Sequence, residues 1–353
     1  MRLTSRLAGV VTLSCAAVLC AAFLLVGVPS GSAAWSPGTL FAMPSDIAVS
    51  GSHAWVANDY LSLKSPLANS VTELNVSNGS LVRIISLSHV VGGLTAPNSI
   101  AASGTHVWVT DLNRIIELNA SNGSVVRVIR AKAQFHAFER PAALFAITAS
   151  GTKVWVANLN SVIEINASNG SVVRVVNAKA DRFSMPFAIA VSSSHVWVMN
   201  NVQPARITEL NASNGSLVRV INTRATAGLN GLTAMGSHVW VANYGGNSVI
   251  ELNASNGSVT RVIRCCAFAG IASPSTIAVG GTHLWVTTNL NSVIELNASN
   301  GSLVRLIKAK ADGFEYSPTV YAFDAIHVWV VNTQSNAVTE LNASDASLVR
   351  LIK

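Results

Sequence analysis

The hydrophobic residues of this chain form short runs that recur along its whole length. Residues 276–307 show the pattern, with the runs TIAVG, HLWVTT, SVIELNA and SLVRLI. These runs are rich in β-branched residues, and clusters of Gly, Asn and Ser separate them. Such runs predict short β-strands joined by tight turns. No repeat carries an apolar run at the helical period, so a helical repeat protein is excluded.

One phrase, ELNASNGS, marks the spacing of the repeats. It occurs four times, and three near copies bring its glutamate to seven positions that lie 42 to 47 residues apart. A tryptophan recurs at the same interval, and in five repeats a proline stands 11 residues before it. The glutamates are Glu73, Glu117, Glu164, Glu209, Glu251, Glu295 and Glu340, and the tryptophans are Trp55, Trp108, Trp155, Trp197, Trp240, Trp285 and Trp329.

Repeats of this length with four short strands each are typical of β-propellers. We therefore predict an all-β fold for residues 35–353, a seven-bladed β-propeller of four-stranded antiparallel blades. The last repeat ends on an outer strand, SLVRLIK. We expect blade seven to meet blade one without a strand exchanged between the chain ends.

The phrase itself fits a tight hairpin between the third and the outer strand of each blade. Asn-Gly favours such turns because both residues tolerate positive φ. With Asn78 at the tip, Glu73 lies opposite Arg83, and this spacing recurs in every repeat, so each blade is expected to hold a cross-strand Glu–Arg pair. The phrase also contains N-glycosylation sequons, 13 in all seven turns. Two glycans on one tight hairpin would crowd each other, and we interpret the letters as turn chemistry.

The repeat SPSTIAVGGTHLWVTTNLNSVIELNASNGSLVRLI resembles those of the YVTN and NHL families of seven-bladed propellers, and streptogramin lyase-like propellers are similar too. The shared elements are a proline, then IAV, VWVAN, NSVIELN, the NG turn and an apolar strand. The resemblance covers residues 43–353 and implies the propeller fold. These families include binding proteins, lyases and lactone hydrolases. The catalytic His and Glu of the lyase have no single counterparts here, so no catalytic residue is assigned, and no cofactor is predicted.

The first 34 residues differ from the rest of the chain. Arg2 and Arg6 precede the almost wholly apolar residues 7–28, and PSGSAA follows, with small residues at Ser32 and Ala34. This order predicts a signal peptide cleaved before Trp35, and an uncleaved membrane anchor is the alternative. The propeller is accordingly expected to be secreted or extracytoplasmic, in the cell envelope, after export of the bacterial type.

Few residues of this chain are charged, and the basic ones predominate. Charged residues make up 11% of the chain, against about 25% in an average soluble protein. We define the top face as the end of the propeller that carries the loops between blades and the loops from second to third strands. Four basic residues recur on the loops between blades, and they predict an electropositive rim for anionic ligands, with a merely solvated loop face as the alternative. They are Lys132, Lys179, Arg224 and Lys310.

A second group of ligand-binding candidates follows the repeat tryptophan by three residues. Asn58, Asn158 and Asn243 stand at this position, where the loop from the second to the third strand begins. Such residues would form a polar rim around the channel mouth. The alternative is an Asx-type turn that satisfies the loop backbone.

Histidine and cysteine offer further candidate chemistry. Six blades carry a histidine two residues before the tryptophan, and Lys153 replaces it in blade three. Equivalent positions on seven blades lie too far apart to share one ion, so we predict no metal site and interpret these residues as structural. His89 and His136 lie outside the repeat and are candidate bases. Two neighbouring cysteines remain after the signal, and they form either a strained vicinal disulfide or two free thiols. They are Cys265 and Cys266.

These patterns favour an exported, non-enzymatic binding module that uses its top face, with an anionic polysaccharide or another envelope protein as partner. The basic residues are not interleaved with aromatic ones, which argues against nucleic acid. The alternative is a lyase or hydrolase with a metal-assisted site at the mouth of the central channel. We expect a monomer that contacts the membrane only if the signal segment is retained. The insertion DYLSLKSPLANS, residues 59–70, is expected to form a long mobile loop over the top face.

Overall fold

Seven antiparallel sheets of four strands make up the fold, and strands that are neighbours in sequence are neighbours in each sheet. This computed structural model describes residues 39–59, 65–88, 96–111, 114–130, 144–177, 183–192, 194–202, 204–223, 228–264, 273–308, 318–324 and 326–353. The predicted all-β fold of seven four-stranded blades is confirmed. The proposed signal peptide, residues 1–34, lies outside the described residues. No helix in the described part of the chain is long and apolar enough to cross a membrane.

Each blade runs through four strands in the same order. The inner strands are β1 (Pro44–Ser50), β5 (Pro97–Ser103), β9 (Leu144–Ser150), β13 (Pro186–Ser192), β17 (Leu229–Met235), β21 (Pro274–Gly280) and β25 (Pro318–Phe323). The second strands are β2 (His53–Asn58), β6 (His106–Asp111), β10 (Lys153–Asn158), β14 (His195–Asn200), β18 (His238–Asn243), β22 (His283–Thr288) and β26 (His327–Asn332). The third strands are β3 (Ser70–Asn75), β7 (Arg114–Asn119), β11 (Ser161–Asn166), β15 (Arg206–Asn211), β19 (Ser248–Asn253), β23 (Ser292–Asn297) and β27 (Ala337–Asn342). The outer strands are β4 (Leu81–Ser86), β8 (Val125–Arg130), β12 (Val172–Asn177), β16 (Leu217–Asn222), β20 (Val259–Arg264), β24 (Leu303–Lys308) and β28 (Leu348–Ile352).

The hydrophobic core lies between neighbouring blades. All seven repeat tryptophans are at most 2% exposed, and each packs against the strands of the following blade. Trp108 of blade two, for example, shares a buried cluster with Ile147 and Val154 of blade three. Because inner strands of adjacent blades contact each other all round, including β1 with β25, they surround a central axis.

The ring closes between two complete blades. Blade one consists of β1 to β4 and blade seven of β25 to β28, which confirms the prediction that no strand is exchanged. Side chains of blade seven bond to blade one across this junction. The backbone N–H of Met43 donates to Asn336 Oδ1 at 2.7 Å, and Arg350 Nη2 donates to the Ser77 carbonyl at 3.2 Å.

Every copy of the phrase folds into the same hairpin. In blade one the Asn75 N–H donates to the Ser80 carbonyl at 2.9 Å, and the Gly79 N–H donates to the Asn75 carbonyl at 2.8 Å. Asn75 Oδ1 accepts from the N–H and hydroxyl of Ser77, and Asn78 Oδ1 accepts from the Ser80 N–H. The letters of the phrase are thereby accounted for as turn chemistry, and the predicted hairpin is confirmed.

The glycine of the phrase is favoured for two reasons. Gly301 has φ +74°, and a Cβ placed on it would lie 2.8 Å from Ile263 Cδ1 of the preceding blade. Blade seven has Ala346 at this position with φ 57°. Its presence shows that the hairpin can accommodate a methyl group at this position. Glycine is therefore favoured both by the positive φ and by the close packing against the preceding blade.

Replacing Gly301 by alanine is expected to lower the free energy of unfolding by about 2 kcal/mol, because strain at positive φ is joined by overpacking. Gly104→Ala is the matched control, since Gly104 has φ +57° and a Cβ there would meet nothing within 4 Å. We expect Gly104→Ala to cost about 1 kcal/mol. Urea unfolding of both variants measures the difference. Equal losses would show that the contact with the preceding blade contributes nothing.

Candidate functional site

The bottom end of each blade, opposite the top face, holds a buried glutamate between two basic side chains. In blade one Glu73 is buried, its Oε1 lies 2.8 Å from His53 Nδ1, and its Oε2 lies 2.8 Å from Arg83 Nε. Glu73 and Arg83 are directly paired across β3 and β4, as predicted. The same three-residue arrangement recurs in all seven blades.

The repeat histidine thus has a structural role that the sequence pattern only partly indicated. In blade three Lys153 Nζ lies 2.9 Å from Glu164 Oε1 and takes the place of the histidine ring. Six blades have His at this position and blade three has Lys. This restriction to basic residues could have indicated in the sequence that the position has a carboxylate partner. Among the residues that the structure describes, no group of three or more His, Cys, Asp or Glu side chains could hold a metal ion.

Burial and ion pairing act in opposite directions on these carboxyl groups. Burial raises the pKa of Glu295, and the positive charges of Arg305 and then His283 offset part of that rise. Burial likewise raises the pKa of Glu209, against the charge of Arg219. The seven repeat glutamates of the bottom end are therefore neutralised by ion pairs, and their burial makes them unavailable to a ligand.

The three candidate asparagines at the other end of the second strands are buried. Asn58 Oδ1 accepts from the Ala42 N–H at 3.1 Å, and its Nδ2 donates to Ser70 Oγ and Thr72 Oγ1 at 3.0 and 2.9 Å. Asn158 accepts from the Leu159 N–H and donates to the Ser161 hydroxyl.

Asn243 has the same arrangement in blade five. Its Oδ1 accepts from the Gly246 N–H at 3.1 Å, and its Nδ2 donates to Ser248 Oγ at 3.0 Å. All three amides brace the loops at the top of their blades. A direct contact of these asparagines with a ligand stays a prediction.

The remaining sequence candidates fall outside the described residues. These are the rim residues Lys132, Lys179, Arg224 and Lys310, the cysteines Cys265 and Cys266, and the histidines His89 and His136. Residues 60–64 of the blade-one insertion lie outside them as well. Residues 65–69 of the insertion form a turn in which Leu67 is buried, and the hydroxyl of Ser70, the first residue of β3, donates to the Leu67 carbonyl at 2.6 Å. This part of the insertion is packed against its blade.

The last residue of the outer strand offers a described counterpart of the predicted basic rim. Arg130, Arg264 and Lys308 occupy this position in blades two, five and six, and all three are exposed. Exposed uncharged residues take the same position in three other blades: Ser86, Asn177 and Asn222. We call Arg130, Arg264 and Lys308 the rim cations.

Acidic side chains at the top end are few in the described part of the chain. They are Asp46, Asp59 and Asp111. Asp111 is buried, accepts from the Ala96 N–H at 2.7 Å and lies 3.5 Å from Arg114 Nη1. Burial raises the pKa of Asp111, against the hydrogen bond from Ala96 and the charge of Arg114. Among the described residues of this end, the fully exposed charged side chains are therefore basic.

Asp46 joins the inner strands of blades one and two. Its Oδ2 accepts from Ser99 Oγ at 2.7 Å and from the Ile100 N–H at 2.8 Å, and its Oδ1 accepts from the Ile47 N–H. Burial raises the pKa of Asp46 to about 6, although these hydrogen bonds lower it. Each of its hydrogen bonds is to the inner strands themselves, so Asp46 positions these two strands beside the axis.

A β-bulge stands at the top of every inner strand. In blade one Pro44 pairs with Asn58 and Asp46 with Ala57, so Ser45 is the extra residue, and the register shifts at the same place in the other six blades. Bulges redirect a side chain and are common beside functional sites. Six bulge residues with described side chains form what we call the mouth ring: Ser45, Asn98, Phe145, Phe187, Asn230 and Ser275.

Consecutive members of the mouth ring touch the next blade. Ser45 Oγ donates to the Pro97 carbonyl at 2.8 Å, and Asn98 Nδ2 donates to the Leu144 and Phe145 carbonyls at 3.1 Å each. The rings of Phe145 and Phe187 lie 6.1 Å apart between centroids. Because the bulge has the same place on inner strands that surround the central axis, its residues lie around the mouth of the channel. Sequence reasoning missed it, because this residue varies from blade to blade and no repeated letter marks it.

Comparisons with known proteins support the architecture. No protein-family model matches the sequence, and no curated protein matches it. The chain is similar to the solved structure of Kuenenia stuttgartiensis Hydrazine Synthase, with a TM-score of 0.71 and 13% identity over 91% of this chain and 100% of that one. It is also similar to the computationally designed Ika8 protein, with a TM-score of 0.63 and 11% identity over 89% of this chain and 88% of that one. At such identities the likeness shows the fold alone.

Proposed function

We propose that this chain is an exported propeller of the YVTN/NHL type that binds an anionic polymer, such as an acidic envelope polysaccharide, on its top face. The proposal rests on the difference in charge between the two ends of the propeller. At the bottom end all seven repeat glutamates are buried between basic partners. At the top end three outer strands finish in exposed cations, Arg130, Arg264 and Lys308.

Such an arrangement suits a long anion better than a small one. Single exposed charges contribute little to affinity, whereas several charges of one sign on one face raise the local concentration of anions. The attraction of exposed charges is screened over about 8 Å at physiological salt, so binding should weaken steeply as salt rises. The predicted loop residues Lys132, Lys179, Arg224 and Lys310 follow the outer strands in sequence and would add to the same charge.

Export and localisation rest on the amino-terminal sequence. Arg2 and Arg6, the apolar residues 7–28 and the small residues before Trp35 support a cleaved signal. An exported propeller would meet acidic polysaccharide rather than nucleic acid. Another envelope protein is the second partner compatible with this location.

Neutralising the rim cations tests the proposal. The triple variant Arg130→Gln, Arg264→Gln and Lys308→Gln should elute from a polyuronate resin at clearly lower salt than the parent, with unchanged thermal unfolding. A second variant replaces Lys132, Lys179, Arg224 and Lys310 by alanine and should lose most of the remaining retention. Salt-gradient elution measures both effects.

A matched control separates position from net charge. The variant Asn122→Asp, Asn256→Asp and Asn300→Asp lowers the net charge by the same three units in the same blades, but at the bottom turns. Asp345 occupies the equivalent position in blade seven and keeps the turn, since its Oδ1 accepts from the Ser347 N–H at 2.8 Å. This control should be retained nearly as well as the parent. Equal weakening of both triple variants would refute a binding face.

A further inference from the structure

The mouth ring has an uneven chemistry that the rim cations do not explain. Blades three and four contribute the two phenylalanines, whereas blades one, two, five and six contribute only hydroxyl and amide groups. No member of the ring is charged. Two neighbouring members of the ring are therefore aromatic, and its other four members are polar and neutral.

Several polar groups of the ring are free to bind. Within the described part of the chain, the Asn230 amide and the Ser275 hydroxyl make no hydrogen bond, and both side chains are partly exposed. Asn98 is exposed and uses its Nδ2 for the next blade, which leaves its carbonyl oxygen available. The ring thus offers donors and acceptors for a ligand with hydroxyl groups.

The aromatic side presents a surface rather than a filled core. Phe145 and Phe187 are both partly exposed, with planes inclined at 40°. Phe187 is anchored by packing against the cluster around Trp197 and Val239. Rigid aromatic side chains supply a large apolar contact at a small cost in conformational entropy. An apolar surface opposite a few placed polar groups is the usual composition of a small-molecule site.

We propose that the mouth ring binds one pyranose residue of a carbohydrate. A pyranose has C–H groups on its faces, which suit the surface of Phe145 and Phe187, and hydroxyl groups around its edge, which suit Asn230, Ser275 and Asn98. The ring carries no charge, so a neutral sugar fits it as well as a uronic acid. The inference extends the proposed function by giving the polymer a sugar residue at the axis, and it does not depend on the rim cations.

Calorimetric titration with two disaccharides, cellobiose and a diuronate, tests the site. We expect both to bind the parent protein and both to bind at least about tenfold more weakly after Phe145→Leu with Phe187→Leu. Leucine keeps an apolar side chain and removes the flat ring, so a loss reports on stacking. Asn230→Ala should weaken binding as well. Thermal unfolding verifies that each variant is folded.

Two controls make the result specific. Phe323→Leu makes the same exchange at the bottom end of an inner strand, where Phe323 packs against Trp285 at 6.2 Å between ring centroids, and should leave both affinities unchanged. The triple rim variant should bind cellobiose like the parent, which separates failure of this inference from failure of the proposed function. Unchanged affinity after Phe145→Leu with Phe187→Leu would overturn it. Binding of phenylalanine amide but of neither disaccharide would overturn it too, in favour of a peptide site.

Discussion

Replacing Arg305 by methionine is expected to lower the free energy of unfolding by about 3 kcal/mol at neutral pH. Arg305 Nε lies 2.7 Å from Oε2 of the fully buried Glu295, whose other partner, His283, is 3.4 Å away. Without the guanidinium, a buried carboxylate loses its nearer counter-charge. Urea unfolding of parent and variant measures the loss. The guanidinium is partly exposed, which places the effect at the lower end of the range for buried pairs.

The pH dependence of this loss identifies its cause. Burial already raises the pKa of Glu295 above its ordinary value, and removal of Arg305 should raise it further. A carboxyl group with a raised folded pKa contributes stability below its unfolded pKa and loses that contribution as pH rises. The defect of Arg305→Met should therefore be full at pH 7 and shrink as pH falls toward about 4.3, the ordinary value for glutamate.

A double variant provides the control for the charge. Glu295→Gln combined with Arg305→Met removes both charges, and it should recover part of the stability at pH 7. A loss that does not change between pH 7 and pH 4.5 would show that lost packing of the arginine stem, not the buried charge, is responsible.

The features that the sequence predicted well are those set within one blade. Strand number, hairpin position and the pairing of Glu73 with Arg83 all follow from short spacings along the chain, because the turn fixes the register of its two strands. Near-identical repeats strengthened each of these predictions, since the same spacing appears seven times. Blade closure followed from the order of the strands in the first and last repeats.

The features that the sequence did not predict are contacts between blades and irregularities of the backbone. The bulge that exposes Phe145 at the mouth depends on one unpaired residue per inner strand, which a period-two pattern does not show. The bond from Arg261 Nη2 to the Ser299 carbonyl joins two blades at 2.9 Å and has no signature in either repeat. The repeat histidine was placed correctly on the second strand, but its partner Glu lies on the third strand.

The second large effect is expected at the ring closure, where Phe41→Ala should lower the free energy of unfolding by about 3–5 kcal/mol. Phe41 precedes β1, is fully buried, and packs in the cluster that joins Ile47 of blade one to Trp329 of blade seven. Truncation would leave a cavity at the junction between the first and last blades. Phe41→Leu should cost less, and Leu40→Ala, at a partly buried neighbour, is the matched control. Urea unfolding measures all three variants. If Phe41→Ala lowers the free energy of unfolding no more than Leu40→Ala does, the segment covers the junction between blades one and seven without stabilising it.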